Sequence, residues 1–205
     1  MRVLLINGSP RKHGCTNRAL EEIQRALSGD GVESEIFWIG KGVVGCMACN
    51  YCKKAGQCVL DDDVNRLAKR LDEFDALIVG TPVYYASPNG SIVAFMDRLF
   101  YSAGRKLTHK LGAVVSAARR AGTTASIDVL EKYFSINQMP IVTSSYWNMV
   151  HGFEPSDVEQ DLEGLQTMRN LGHNMAWLLK CIEAGKKAGI ETPANERENH
   201  TNFIR

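Results

Sequence analysis

Four consecutive apolar residues, Val3-Leu4-Leu5-Ile6, run straight into a polar, glycine-containing turn, Asn7-Gly8-Ser9-Pro10-Arg11-Lys12-His13-Gly14-Cys15-Thr16-Asn17. A helix-like stretch, Arg18 to Leu27, follows at once. A run apolar at successive positions reads as a buried strand. Such a strand feeding a turn at a helix N-terminus makes an anion site. Backbone N–H groups point outward there, the helix dipole is positive, and Ser9, Arg11, Thr16 and Asn17 can add hydrogen bonds. The turn has neither the Gly-Lys-Ser/Thr of a nucleoside-triphosphate loop nor the Gly-x-Gly-x-x-Gly of a dinucleotide fold. That points to a mononucleotide phosphate, with FMN the leading candidate. An ordinary strand–turn–helix with a capped helix would read the same way on this loop alone.

The rest of the chain repeats the alternation. Strand-like runs lie at Val3–Ile6, Glu35–Trp38, Ala76–Gly80, Leu111–Ser116 and Pro140–Thr143. Amphipathic stretches lie near Asn17–Ser28, Asp63–Phe74, Gly90–Tyr101 and Thr123–Asn137, and a long helix is expected over Asp157–Ala184. Five strands separated by helices predict an α/β fold, a doubly wound five-stranded parallel sheet with helices on both faces. The chain of 205 residues suits one such domain, 1–184, followed by a polar tail, 185–205. A net charge of +1 excludes a broad electrostatic footprint for nucleic acid or an anionic membrane. No apolar stretch approaches the ~20 residues of a membrane span, and the N-terminus reads as a strand rather than a signal peptide. The expected location is the cytoplasm. Six cysteines in that reducing compartment point to metal or redox chemistry more than to disulfides.

In a doubly wound sheet the ligand sits at the carboxyl ends of the strands. Three loops meet at that edge: Ser9–Asn17, Thr81–Gly90 and Ala117–Thr124. The middle loop carries Pro82, Val83, Tyr84, Tyr85, Ala86 and Ser87, a rigid backbone with aromatic rings that suits an isoalloxazine. The third carries Ala118, Arg119, Arg120 and Gly122, whose arginines would stabilise negative charge on a reduced flavin. Sheet-edge packing for the tyrosines and a solvated loop for the arginines are the plainer alternatives.

Between the second strand and the next helix, Cys46, Cys49, Cys52 and Cys58 are spaced C-x2-C-x2-C-x5-C. Three closely spaced thiolates with a fourth to close the set can wrap a [4Fe–4S] cluster. A structural zinc would prefer paired knuckles, and a metal-free, thiol-rich loop is the third reading. Asp61-Asp62-Asp63 after the quartet is expected to cap the next helix. Cys181 is expected on the buried face of the last helix, and Cys15 sits in the phosphate loop.

These features together resemble the flavodoxin-like NAD(P)H-dependent FMN reductase superfamily, and within it the iron–sulfur flavoprotein branch. The resemblance covers most of 1–152. It rests on Gly8-Ser9-Pro10-Arg11 with Asn17, on the cysteine quartet followed by Val59 and Asp61-Asp62-Asp63, on Pro82-Val83-Tyr84, and on Phe95-Met96-Asp97-Arg98. It implies a flavodoxin-like five-stranded sheet, a homodimer or homotetramer, and FMN held by the three loops. Carried over by position, Ser9, Arg11, Thr16 and Asn17 would hold the phosphate, with Pro10 and Cys15 beside it. Pro82 to Ser87 would follow the ring and ribityl chain, and Ala118 to Gly122 the far edge of the ring. The cysteine quartet would ligate the cluster near the dimer interface. The third loop departs from the expected glycine-rich run, and Tyr146–Gly152 is unusually aromatic. That segment either covers the flavin or packs as a connection to the last helix, the latter favoured for Trp147 over His151.

The function this implies is an FMN-dependent oxidoreductase. NADH or NADPH would reduce the flavin, which would pass electrons to a quinone, a nitro or azo compound or free flavin. Tyr84, Arg119 and His151 are the candidates for charge stabilisation or proton supply. One alternative is an FMN and [4Fe–4S] electron carrier reduced by ferredoxin. Another is a non-catalytic flavin-binding module.

Overall fold

The computed structural model describes residues 1–196, 198, 199, 201 and 203. The order of elements is β1 (Arg2–Asn7), α1 (Cys15–Gly29), β2 (Glu33–Trp38), α2 (Tyr51–Ala55), α3 (Asp63–Arg70), β3 (Ala76–Tyr84), β4 (Ser87–Pro88), α4 (Gly90–Ala103), β5 (Leu111–Ala118), α5 (Thr123–Ile136), β6 (Met149–His151), α6 (Pro155–Val158) and α7 (Leu162–Lys187). The strands lie in the order β2-β1-β3-β5-β6, all parallel. This is the doubly wound order in which the chain reverses direction between β1 and β3, where a crevice opens.

Alternation along each strand divides the core in two. Val3 and Leu5 of β1, Ala76 and Ile78 of β3, and Ala113 and Val115 of β5 meet α1 and α7 on one face. Leu4, Ile6, Leu77, Val79 and Val114 meet α3, α4 and α5 on the other. Both faces are covered, so the strands must be apolar at every position. Burial of Arg18 and Glu22 on α1 is met by ion pairs. Arg18 Nη2 lies 2.9 Å and Arg169 Nη1 2.6 Å from the Glu22 carboxylate, and Arg18 also pairs with Glu159. The network ties α1 to α6 and α7.

Several sequence expectations change. The fifth strand is not Pro140–Thr143. That segment makes a single bridge, Ile141 opposite Gly112. The chain then leaves the sheet and returns as β6, opposite Ser116–Ala118. Three residues are too few for an apolar period to register. The expected helix over Asp157–Ala184 is two helices. The first ends at Val158, and Asp161 caps the second, accepting from the Gly164 N–H at 2.9 Å. Cys181 is exposed, not core. The buried face of α7 runs through Leu165, Met168, Leu171, Met175, Ala176 and Leu179, and Cys181 falls off that stripe. The expected tail begins inside α7, which continues to Lys187. Arg197, His200, Asn202, Ile204 and Arg205 of that tail lie outside the described residues.

The expected loop after the third strand is largely strand. β3 continues to Tyr84 and folds back on β4 in an antiparallel hairpin, which adds a short sixth strand. Its two turn residues, Tyr85 (φ 51°) and Ala86 (φ 57°), both lie in the left-handed region. That is the backbone of a type I′ turn, normally given to Asn-Gly. Gly122 (φ 92°) abuts it, and a Cβ there would stand 2.6 Å from Ala86 Cα.

At the reversal point, Gly8 donates its N–H to the Gly80 carbonyl at 2.9 Å. A Cβ on Gly8 would lie 2.7 Å from Ile92 Cβ and 2.8 Å from that carbonyl. Gly8→Ala is expected to cost about 1–3 kcal/mol by overpacking and to lower Tm by roughly 3–10 °C. An unchanged melting curve would show that β1 and β3 can part here without loss.

Candidate functional site

The turn after β1 is built by buried Asn7. Its Nδ2 donates to the Lys12 carbonyl at 3.0 Å and to Asn17 Oδ1 at 3.1 Å, and its Oδ1 accepts from the Ser9 N–H at 3.0 Å. Ser9 Oγ accepts from the Arg11 N–H at 3.1 Å. From β2, Trp38 Nε1 donates to the Ser9 carbonyl at 2.7 Å. Five polar contacts thus hold the turn from inside. α1 begins at Gly14 with no side-chain cap, which leaves its first-turn amides for a ligand.

This turn forms one wall of an open cleft of about 220 Å³. Its lining joins four chain segments: Ser9, Arg11, Gly14, Cys15 and Thr16; Pro82, Val83 and Tyr84; Ala117, Ala118 and Arg119; and Gly152 with Phe153. The Thr16 hydroxyl is buried with no hydrogen-bond partner. An unpaired buried hydroxyl costs about 1–3 kcal/mol, and a phosphate oxygen in the cleft would relieve it. Uncapped helix, orphaned hydroxyl and cationic rim fit the phosphate of FMN.

The remaining expected residues divide. The Asn17 side chain accepts from Asn7 through Oδ1 and donates through Nδ2 to Glu21 Oε1, 2.6 Å away. Tyr85 stands fully exposed at the tip of the hairpin. With Pro10, Ala86, Ser87, Arg120 and Gly122 it lies outside the cleft lining. His151 also lies outside. Its N–H donates to Asp161 Oδ2 at 2.6 Å, and its Nδ1 is 3.7 Å from the same oxygen. Trp147 is exposed, not packed, and meets Tyr146 edge to face. The Cys15 thiol is pushed up in pKa mainly by burial.

Phe153 was not visible in the sequence as a site residue. It is exposed in the cleft between two cations, with Arg11 5.9 Å and Arg119 6.0 Å from its ring centre. It follows Gly152 directly, one residue past the aromatic segment. Asn7 acts through contacts within its own turn, a local signal, whereas Trp38 acts through a residue distant in sequence.

The four loop cysteines line one pocket with Arg98, Tyr101 and Ser102 of α4. Cys46 and Cys49 are exposed, and Cys52 and Cys58 half-buried. Among the described residues no three His, Cys, Asp or Glu side chains form a group that could hold a metal ion. A single zinc needs its thiolates within about 2.3 Å of one point. Four thiols lining one pocket are also the donor set that a four-iron cluster takes. Asp62 caps α3 as expected, accepting from the Val64 N–H at 3.1 Å.

Residues 1–154 match the NADPH-dependent FMN reductase family. An iron–sulfur flavoprotein of Methanocaldococcus jannaschii is 34% identical over 192 residues, covering 89% of this chain and 100% of that one. Two solved structures share the fold. RosB with bound 8-demethyl-8-formylriboflavin-5′-phosphate gives a TM-score of 0.67 at 13% identity, over 100% of this chain and 94% of that one. A flavodoxin from the domain Archaea gives 0.60 at 17%, over 88% and 99%. No helix among the described residues is long and apolar enough to cross a membrane.

Trp38→Phe keeps the ring and removes the bond to the Ser9 carbonyl. At about 0.5–1.5 kcal/mol for such a bond, FMN affinity measured by fluorescence quenching should fall about two- to tenfold. Parent-like affinity would mean that β2 does not position the turn.

Proposed function

We propose, from the premise that the chain belongs to the NADPH-dependent FMN reductase family and to its iron–sulfur flavoprotein branch, that it is an FMN oxidoreductase working as an electron carrier. One observation carries the FMN assignment: the turn after β1, the ends of β3 and β5 and the residues after β6 share a cleft in which the Thr16 hydroxyl is buried and unpaired. Ser9, Thr16 and the first amides of α1 hold the phosphate, and Arg11 adds charge at the rim. Pro82 to Tyr84 lie along the ring. Arg119 offsets negative charge that develops on its far edge, and Phe153 shields that side from water. FMN, when bound, takes electrons in pairs and returns them singly or in pairs. The protein's part is to bind, orient and polarise, and no side chain here needs to act as nucleophile.

A second observation bears on where electrons go. Cys46, Cys49, Cys52 and Cys58 line one pocket, and they would hold a [4Fe–4S] group that carries one electron at a time. With it, the partner is a one-electron protein donor such as ferredoxin. Without it, the reading reverts to a reductase driven by NADH or NADPH.

Thr16→Val tests the phosphate site. Apo stability should stay the same or rise, because an unpaired hydroxyl is removed. FMN affinity should fall about tenfold or more, since hydrogen bonds to charged groups contribute about 1.5–3 kcal/mol. Unchanged affinity would sink the assignment.

Iron and acid-labile sulfide in protein purified without oxygen test the quartet. About four of each per chain are expected, with Cys49→Ser losing iron while keeping FMN. FMN with neither iron nor sulfide would leave the nicotinamide-dependent reductase standing.

A further inference from the structure

Arg98 on α4 is the largest fully buried side chain among the described residues. A guanidinium is held in such a place only with its charge and donors satisfied. All five of its N–H groups are used, and every acceptor lies on the cysteine loop or just past it. The Asp62 carboxylate takes the fork, Nη1 to Oδ2 at 2.7 Å and Nη2 to Oδ1 at 2.8 Å. The second N–H groups reach the Val44 carbonyl at 3.3 Å and the Leu60 carbonyl at 3.4 Å. The last, on Nε, donates to Cys58 Sγ at 3.3 Å.

Cys58 is held in other ways too. Buried Asn65 accepts from the Cys58 N–H at 2.9 Å and donates to its carbonyl at 2.8 Å. Among the described residues, Cys58 is the one member of the quartet whose sulfur accepts a hydrogen bond. The quartet is therefore asymmetric: one thiol is locked and faces a buried cation, and the other three are not.

We propose that Arg98 is a positioning residue that raises the reduction potential of the cluster held by Cys46, Cys49, Cys52 and Cys58, through its N–H bond to the Cys58 sulfur. The proposal rests on the cluster reading above. Reduction adds one electron and no proton, so the cluster gains one unit of negative charge. A buried cation donating to a ligand sulfur stabilises that added charge more than the oxidised form, and it does so in a medium that screens poorly. Hydrogen bonds to sulfur and local charge are the levers that set such potentials. Asp62 works the other way. Its carboxylate holds Arg98 in place and offsets part of its charge. Removing Arg98 should lower the potential, and neutralising Asp62 should raise it.

The test compares parent, R98Q and D62N, purified without oxygen. Asn remains a good helix cap, so D62N keeps the start of α3. Iron and sulfide per chain are measured first. Each protein is then titrated with dithionite, which supplies the electron, and followed by visible absorbance and electron paramagnetic resonance. R98Q should shift the one-electron equilibrium about tenfold toward the oxidised form, about 59 mV negative. D62N should shift the potential to the positive side. Equal potentials in all three proteins overturn the proposal. If R98Q loses its iron, D62N decides: a positive shift supports the proposal, and an unchanged or negative one overturns it. A parent without iron and sulfide would end the cluster reading, and this proposal with it, before any potential is recorded.

Discussion

The hydrogen bond from the Gly8 N–H to the Gly80 carbonyl, 2.9 Å long, is the last rung between β1 and β3. Beyond it the two strands part, because the crossovers that follow them run to opposite faces of the sheet. α1 packs with α7 on one side and α4 with α3 and α5 on the other. The cleft is the space this divergence leaves. Bulk at Gly8 would meet Ile92 on α4, so the rung and the helix behind it constrain each other. A parallel sheet covered on both faces cannot close that gap without exposing core.

Buried charge organises what surrounds the sheet. Glu22 shows the balance: burial pushes its pKa up, but Arg169 and Arg18 outweigh burial and hold it below the ordinary carboxylate value. That network fixes α1, and with it the amides that face the cleft. Arg98 plays the corresponding part for the cysteine loop. Burial acts against its charge, yet Asp62 and the Cys58 sulfur hold its pKa above the ordinary value. The enclosed guanidinium thereby ties Val44, Cys58, Leu60 and Asp62 to α4.

Much of the site was legible because its chemistry is local. Ser9, Arg11 and Thr16 stand in one turn, and a strand–turn–helix imposes its own amide geometry. Pro82 to Tyr84 and Arg119 were legible because the ends of parallel strands share an edge. The Asn17 side chain was expected to face a phosphate and here meets Asn7 and Glu21 instead, because the same amide can serve either and sequence cannot rank those partners. His151 likewise lies beside Asp161, a partner that sequence could not rank. Phe153 and Trp38 were missed because each contributes through residues more than twenty-five positions away.

From the sequence alone followed the alternation of strand and helix, the parallel sheet, the polar turn after β1 and the grouping of four cysteines. Hydrophobic period, turn chemistry and close spacing all act over a few residues, and a chain carries them wherever it goes. The tertiary structure decided that the fifth strand is Met149–His151, that Phe153 sits between Arg11 and Arg119, and that Arg98 singles out Cys58. Those outcomes depend on which polar groups are buried together. A buried donor takes the partner that packing brings to it, and packing is a property of the whole chain.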